Sequence, residues 1–333
     1  MYELLGICLS LVGLLAINSM ASLLAAGLWR GISRATESWP SPARAQFLFF
    51  LRIMPGLAAV FCVGALFIPS YLINEPRHTT EVVTAKLGLL AAASLYGIGF
   101  ALWRCIARCL TTRRLARDWL RHAQPISVEN LSVPAFRFRH RFPVVAIVGA
   151  LRPRLFIAEQ VLEALSPEEL SAAVAHERGH LAARDNFKRG LLLVCRDVLA
   201  LLPLGRSLDR AWMEAAECAA DDHAARNGLP EALDLASALV KIARLAPAGA
   251  SPAMFAGASL IVEDLGSITS RVLRLTRLAA STRWPENTSV RWLNFAACAC
   301  VSGLLFTALL SVNSSSFMAA IHSTLEYVVS VFQ

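Results

Sequence analysis

The chain has 333 residues, 56% of them apolar and only 17% charged, with a mean hydropathy of +0.53. That balance excludes a disordered chain, which needs low hydrophobicity and high charge, and is too apolar for an ordinary soluble protein. The formal charge of +8 comes from 29 Arg and 3 Lys against 24 acids, which in so apolar a chain reports where arginines sit relative to a bilayer.

Four stretches are long and apolar enough to cross about 30 Å of hydrocarbon. The first, Leu4 to Trp29, holds no charged residue. It has no basic segment ahead of it and is too long for a cleaved signal, so it reads as an anchor. The second runs from Phe47 to Ile73, with Arg52 close enough to one end to snorkel. The third covers Val82 to Trp103, with Lys86 near its start, and the fourth runs from Trp292 to about Val312. Orientation follows from the short flanks. Arg30, Arg34 and Arg44 lie between spans one and two, and Arg104, Arg108, Arg113, Arg114, Arg117 and Arg121 follow span three. The loop from Pro69 to Glu81 has Arg77 alone, and the tail after Val312 has neither Arg nor Lys. The expected plan is therefore three membrane helices in 1–103 (about 4–29, 47–73 and 82–103), a cytoplasmic domain in 104–291, a fourth membrane helix in 292–313, and a short extracytoplasmic tail in 314–333. Both termini face outward.

The segment Arg104 to His122 reads as a basic helix lying at the membrane surface. Nucleic-acid binding is the alternative for such a segment, and nothing else in the chain supports it. Short β-type runs follow at Ile126 to Val133, Val144 to Val148 and Leu155 to Ala158, separated by Pro134, Pro143, Gly149 and Pro153. From Ser166 onward the pattern is helical, with a loop rich in small residues at Pro247 to Gly257. Eight cysteines are too sparse for a disulfide scaffold, no CxxC pair occurs, and most sit in apolar runs; they read as reduced. The fold class is thus mainly α: a polytopic membrane protein whose cytoplasmic domain contains a small β-sheet.

Ser166-Pro167-Glu168-Glu169 is a helix start, with Ser as N-cap, Pro at the first position and Glu closing a capping box. The helix should run to about Ala183, and on it lies His176-Glu177-Arg178-Gly179-His180. Residues four apart share a helical face, so both imidazoles can reach one ion. Glu177 projects about 100° round from His176, where it can hold a metal-bound water without being a ligand. Catalytic zinc takes three protein ligands and keeps one position for water. A second helix, from about Ser207 to Arg226, offers Glu214, Glu217, Asp221, Asp222 and His223. Glu214, Glu217 and Asp221 share one side of it, while His223 lies about 120° from Glu217. Glu217 is the preferred third ligand, with Asp221 one turn on to orient a ligating His; Glu214 is the alternative. The alanines at 215, 216, 219 and 220 would let the two helices approach closely.

These motifs carry a resemblance. His176 to His180, Asp185 five residues later, and Glu217-Cys218-Ala219-Ala220-Asp221 resemble the HExxH…ExxxD pattern of gluzincin-type membrane peptidases. Gly149-Ala150-Leu151-Arg152-Pro153 and Leu165 to Leu170 look like their lead-in. Three spans before the motif and one after resemble the layout of the BlaR/MecR-type membrane metallopeptidases, whereas HtpX-type and CAAX prenyl protease-type enzymes usually place more spans after HExxH. Two departures stand out. Leu202-Pro203-Leu204 stands where the BlaR/MecR group tends to have an aromatic-Asn-Pro sequence, and the short tail leaves no room for a penicillin-binding sensor domain.

The resemblance implies a zincin-like protease domain in a bacterial cytoplasmic membrane, with Zn²⁺ held by His176, His180 and Glu217. Glu177 would act as general base in hydrolysing a peptide bond, and the strand at Val144 to Val148 would receive substrate by strand addition. The expected substrate is a cytoplasmic or membrane-proximal protein, with a transcriptional repressor as one class. Any signal would come through an extracytoplasmic sensor partner, through the spans or from inside the cell, with no direct β-lactam binding. Quality-control proteolysis of the HtpX kind and a non-catalytic zinc scaffold are the competing readings; an intact Glu177 argues against the scaffold.

Overall fold

The computed structural model describes residues 2–75, 83–129, 131–195, 205–246, 265–280 and 314–332, together with positions 299, 302 and 303. Among the described residues the chain is mostly helical. Helix α1 (Tyr2–Ile32) is apolar all round, the pattern of a helix with no water-facing side. Helix α2 (Ser41–Phe61) runs on through a wider π-helical turn at Cys62–Phe67 into α3 (Ile68–Asn74). The widened turn has a cause in Pro69, whose ring would clash with a carbonyl four residues back in a regular helix. Helix α4 (Ala85–His122) contains no proline and is capped by Thr84, whose Oγ1 accepts the Leu87 N–H. The runs 2–32, 41–74 and 85–122 are each long and apolar enough to cross a membrane.

The sheet is small and mixed, in the order β1-β2-β4-β3. Strands β1 (Gln124–Ile126) and β2 (Ala135–Phe138) are antiparallel, β2 and β4 (Arg154–Ala158) are parallel, and β3 (Val145–Val148) closes the order antiparallel to β4. Helices α5 (Glu159–Ala164), α6 (Pro167–Ala183), α7 (Asp185–Val194), α8 (Arg206–Ala224), α9 (Leu229–Leu245) and α10 (Leu265–Ala280) follow, and α11 (Ser315–Phe332) closes the chain.

Two apolar clusters organise the end that carries α6 and α8. The first joins Val145, Leu155, Phe156 and Ile157 of the sheet to Ala172, Leu235, Leu239 and Leu275 of α6, α9 and α10. The second joins Leu208, Trp212 and Ala215 of α8 to Trp29 of α1 and Leu48 and Phe49 of α2. Helix α8 therefore lies directly against two of the apolar helices. At the other end of α1, the Tyr71 hydroxyl donates to the Tyr2 carbonyl (2.7 Å) and Ser70 Oγ donates to the Met318 carbonyl (2.8 Å), fastening α11 there.

Three sequence expectations change. The basic segment 104–122 is not a separate surface helix but the second half of α4, because no helix breaker separates Trp103 from Arg104. Its end is pinned to the sheet by Trp119, whose ring lies 4.8 Å from that of Phe138 and 5.3 Å from that of Phe156. Arg52 does not snorkel; it is 2% exposed and its Nε donates to Asp209 Oδ1 of α8 at 2.8 Å. The strand expected at Ile126 to Val133 keeps only Ile126. The pairing residues instead follow Pro134, where Ala135 and Phe138 turn inward. The tail beyond Ser314 is an ordered helix. The span expected at 292–313 (apart from 299, 302 and 303) and the loop at 247–257 lie outside the described residues.

Candidate metal centre

Helix α6 begins as its sequence dictates. Ser166 Oγ accepts the Glu169 N–H, and Glu169 Oε2 accepts the Ser166 N–H at 2.8 Å. The same Glu169 carboxylate takes Ser237 Oγ and Lys241 Nζ of α9, both at 2.7 Å, which fixes the start of the helix. Its far end turns on Arg184, a non-glycine residue in the left-handed region (φ 55°). A side chain there costs about 1–2 kcal/mol, and the turn brings Asp185 back beneath His180. Helix α8 meets α6 at Gly179, where an added Cβ would lie 3.0 Å from Ala220 Cα and from His223 Cβ. That absence of a side chain lets Glu217 reach the two imidazoles.

His176, His180 and Glu217 form one buried group that could hold a metal ion. The two Nε2 atoms are 3.2 Å apart, His176 Nε2 is 3.4 Å from Glu217 Oε2, and His180 Nε2 is 3.5 Å from Glu217 Oε1. Ligands about 2.0–2.1 Å from a tetrahedral zinc stand about 3.3–3.4 Å from one another. The two nitrogens stand at that spacing, and the Glu217 carboxylate comes close to it, meeting each nitrogen through a different oxygen. Each imidazole turns its other nitrogen to a carboxylate: His176 Nδ1 lies 2.9 Å from Asp221 Oδ1, and His180 Nδ1 lies 2.7 Å from Asp185 Oδ2. Such partners fix ring orientation and turn both Nε2 atoms toward the Glu217 carboxylate.

Charge is compensated from α10 and α7. The buried Arg271 guanidinium forms a two-point pair with Asp221 (2.6 and 2.9 Å) and reaches Glu217 Oε2 at 3.3 Å. Arg189 Nη2 lies 3.3 Å from Glu217 Oε1. Burial alone would raise the Asp221 carboxyl, but Arg271 and His176 win and hold it at about 2. Glu217 is held well below the usual carboxylate range against its burial by His180, His176 and Arg271. Burial opposes a charge on His180, yet the Glu217 carboxylate and the Asp185 hydrogen bond raise it to about 10.

Glu177 stands beside this group and is not part of it. Its Oε2 accepts the Ile147 N–H of β3 at 2.9 Å. Its Oε1 is buried and has no hydrogen-bond partner among the described residues, and burial pushes the carboxyl up. Strand β3 is an edge of the sheet, but the outward groups of Ile147 are taken: the N–H by Glu177, and the C=O by Asn186 Nδ2 at 2.8 Å. Helices α6 and α7 thus cover the middle of the edge expected to receive a substrate strand.

All five residues singled out in the sequence meet here, and Glu214 is excluded, because it is exposed one turn away. His223 packs behind Gly179, outside the ligand group. The sequence did not reveal Arg271, Arg189 or Asn186, nor the service of Asp185 to His180. Only Asp185 had a local signal, its fixed spacing after the second His. No protein-family model matches the chain, and no curated protein matches it either.

Proposed function

We propose that the chain is a membrane-embedded zinc metallopeptidase of the BlaR/MecR kind, which cuts a cytoplasmic or membrane-proximal protein such as a transcriptional regulator. One observation carries this reading: two imidazole nitrogens 3.2 Å apart, each within 3.5 Å of an oxygen of the Glu217 carboxylate, stand beside a buried Glu177 that is anchored through one oxygen and unpartnered at the other. His176, His180 and Glu217 would hold the ion; two imidazoles and a carboxylate are a catalytic zinc set. Bound there, zinc supplies Lewis acidity toward a carbonyl and toward water. The chain's own residues do the rest. Ile147 fixes Glu177 so that its free oxygen can take a proton from water and return it to the leaving amine, and the raised pKa suits that shuttling. Asp221 and Asp185 keep both rings in the binding orientation, and Arg271 offsets the charge of the surrounding carboxylates.

The reading includes a cytoplasmic centre with both termini outside. The arginine flanks favour it, and so do the contacts. Arg274 of α10 bonds Ser41 at the start of α2, whereas α11 bonds Ser70, near the end of the same helical run. Helices α10 and α11 thus meet opposite ends of that run, an arrangement compatible with a fourth span between them.

Purified protein should carry about one zinc per chain. Glu177→Gln should keep the metal and lose proteolysis. Metal analysis beside a cleavage assay decides, and retained cleavage in the Gln variant would remove the enzymatic reading. A reporter fused after Gln333 should be active only if it works outside the cytoplasm; a cytoplasmic signal there would overturn the topology.

A further inference from the structure

A cleft of about 680 Å³ opens between the second half of α4, the β3–β4 turn and α7. This volume is in the range of ligand and peptide sites. Its floor includes Ile147, Asn186 and Arg189, the residues that touch Glu177, the strand edge and Glu217, so it leads to the metal group. Six arginines line it: Arg108, Arg113 and Arg117 from α4, Arg152 and Arg154 from the turn and β4, and Arg189 from α7. No Asp or Glu is among its lining residues. Among the described residues, no carboxylate pairs with Arg113, Arg117, Arg152 or Arg154. A charge concentration of this kind, in a concave wall, focuses potential and draws in anions.

We propose that this cleft selects substrates by an acidic segment flanking the scissile bond, an extended stretch rich in Asp or Glu. The proposal rests on the peptidase reading and adds the substrate class. Guanidinium forks match carboxylates in a planar, two-point fashion, and Arg113 reaches the cleft from α4 while Arg152 reaches it from the β3–β4 turn. Gly149 to Leu151, in the turn after β3, line the cleft beside Asn186, whose Nδ2 meets the Gly149 C=O at 3.4 Å. Leu151, 82% exposed at the rim, adds an apolar contact. A lipid headgroup would account for Arg108, just past the apolar part of α4. It would not account for Arg152, Arg154 and Arg189, which come from the sheet and α7.

The test uses the full-length, zinc-loaded protein in dodecyl maltoside and two fluorescein-labelled octapeptides, one with four Glu and the other with Gln in their places. Fluorescence anisotropy should show the Glu peptide binding at least about tenfold more tightly at low salt, with the gap closing at high salt. Arg113→Gln with Arg117→Gln should abolish most of that preference at unchanged zinc content and circular dichroism. Arg114→Gln with Arg121→Gln, on the same helix but outside the cleft, should leave it. Equal binding of the two peptides would overturn the proposal, as would a preference that survives in the 113/117 pair or falls equally in the 114/121 pair. Weaker retention of the 113/117 pair on phosphatidylglycerol vesicles, with its peptide preference intact, would assign the arginines to lipid instead. Binding is read without turnover. A protein that prefers the Glu peptide yet cleaves nothing keeps this inference and loses the peptidase reading, while one that cleaves casein but binds both peptides alike does the reverse.

Discussion

The metal group has two walls of opposite origin. The first is drawn from one short stretch, 176–189: His176, Glu177, His180, Asp185, Asn186 and Arg189, tied to the sheet through the backbone of Ile147. The second comes from two helices much further along, with Glu217 and Asp221 on α8 and Arg271 on α10, held by paired buried charges. The near wall is held by side-chain bonds from Glu177 and Asn186 to one fixed point, the Ile147 backbone, and by the His180–Asp185 pair. The far wall is an electrostatic balance, and removing one member leaves the others charged and dry. Geometry is set on one side and charge on the other.

The sharpest way to break this comparison is to remove one arginine from each wall. Arg271→Met should cost about 3–5 kcal/mol of stability, because it strands Asp221 and Glu217. Arg189→Met, half-buried at the cleft, should cost about 1 kcal/mol or less. Thermal unfolding in chelator would measure both, and equal losses would show that the walls do not divide the work this way.

Next in size is the series of carboxylates. Glu217→Ala should weaken zinc binding by more than about 100-fold, and Asp221→Asn and Asp185→Asn by roughly 10–100-fold each. Chelator competition gives the affinities. The walls differ in what accompanies the loss: Asp221→Asn weakens the pairing of both Arg271 and His176 and should lower the melting temperature more than Asp185→Asn, which weakens the His180 pair. Loss of metal in Glu214→Ala with retention in Glu217→Ala would place the ligand one turn away.

The smallest effect concerns protons. His180 is held up to about 10, so before an ion binds it is protonated at neutral pH. Zinc needs the neutral ring, so uptake should expel a proton, and affinity should rise about tenfold per pH unit between roughly pH 6 and 8. The sign for the ion-free fold is the reverse. The charged His180 stabilises it below the ordinary imidazole value, and that contribution fades as pH rises toward about 10. Calorimetry in buffers of different ionisation enthalpy counts the protons, and a pH-independent affinity would contradict the assignment.

What was legible in the sequence follows the same division. Capping at Ser166, the helical spacing of His176 and His180, and the shared face of Glu217 and Asp221 are local consequences of 3.6-residue periodicity. They are all found in place. Arg271 lies 50 residues beyond Asp221, on a helix whose docking is set by apolar packing of Leu275, and no local pattern announces it. Arg52 misled for a related reason. A lone arginine in an apolar run looks like a snorkelling side chain until its partner, Asp209, is brought beside it by α8. The strand at 135–138 was missed because four residues are too short to show alternation, and Pro134 reads as a terminator when it is a lead-in.

Helix α4 has one more consequence. At 1.5 Å per residue its 38 residues form a rod about 57 Å long, without a proline to act as a hinge. The half that is apolar enough to cross a bilayer and the half that carries the arginine face are therefore a single lever. A tilt of about 5° about the Ala85 end carries the His122 end by about 5 Å, comparable to the spacing of neighbouring strands. Because Trp119 ties the far end of the rod to Phe138 and Phe156, a lean of the apolar half is passed on to the sheet, and with it to the Ile147 backbone that holds Glu177.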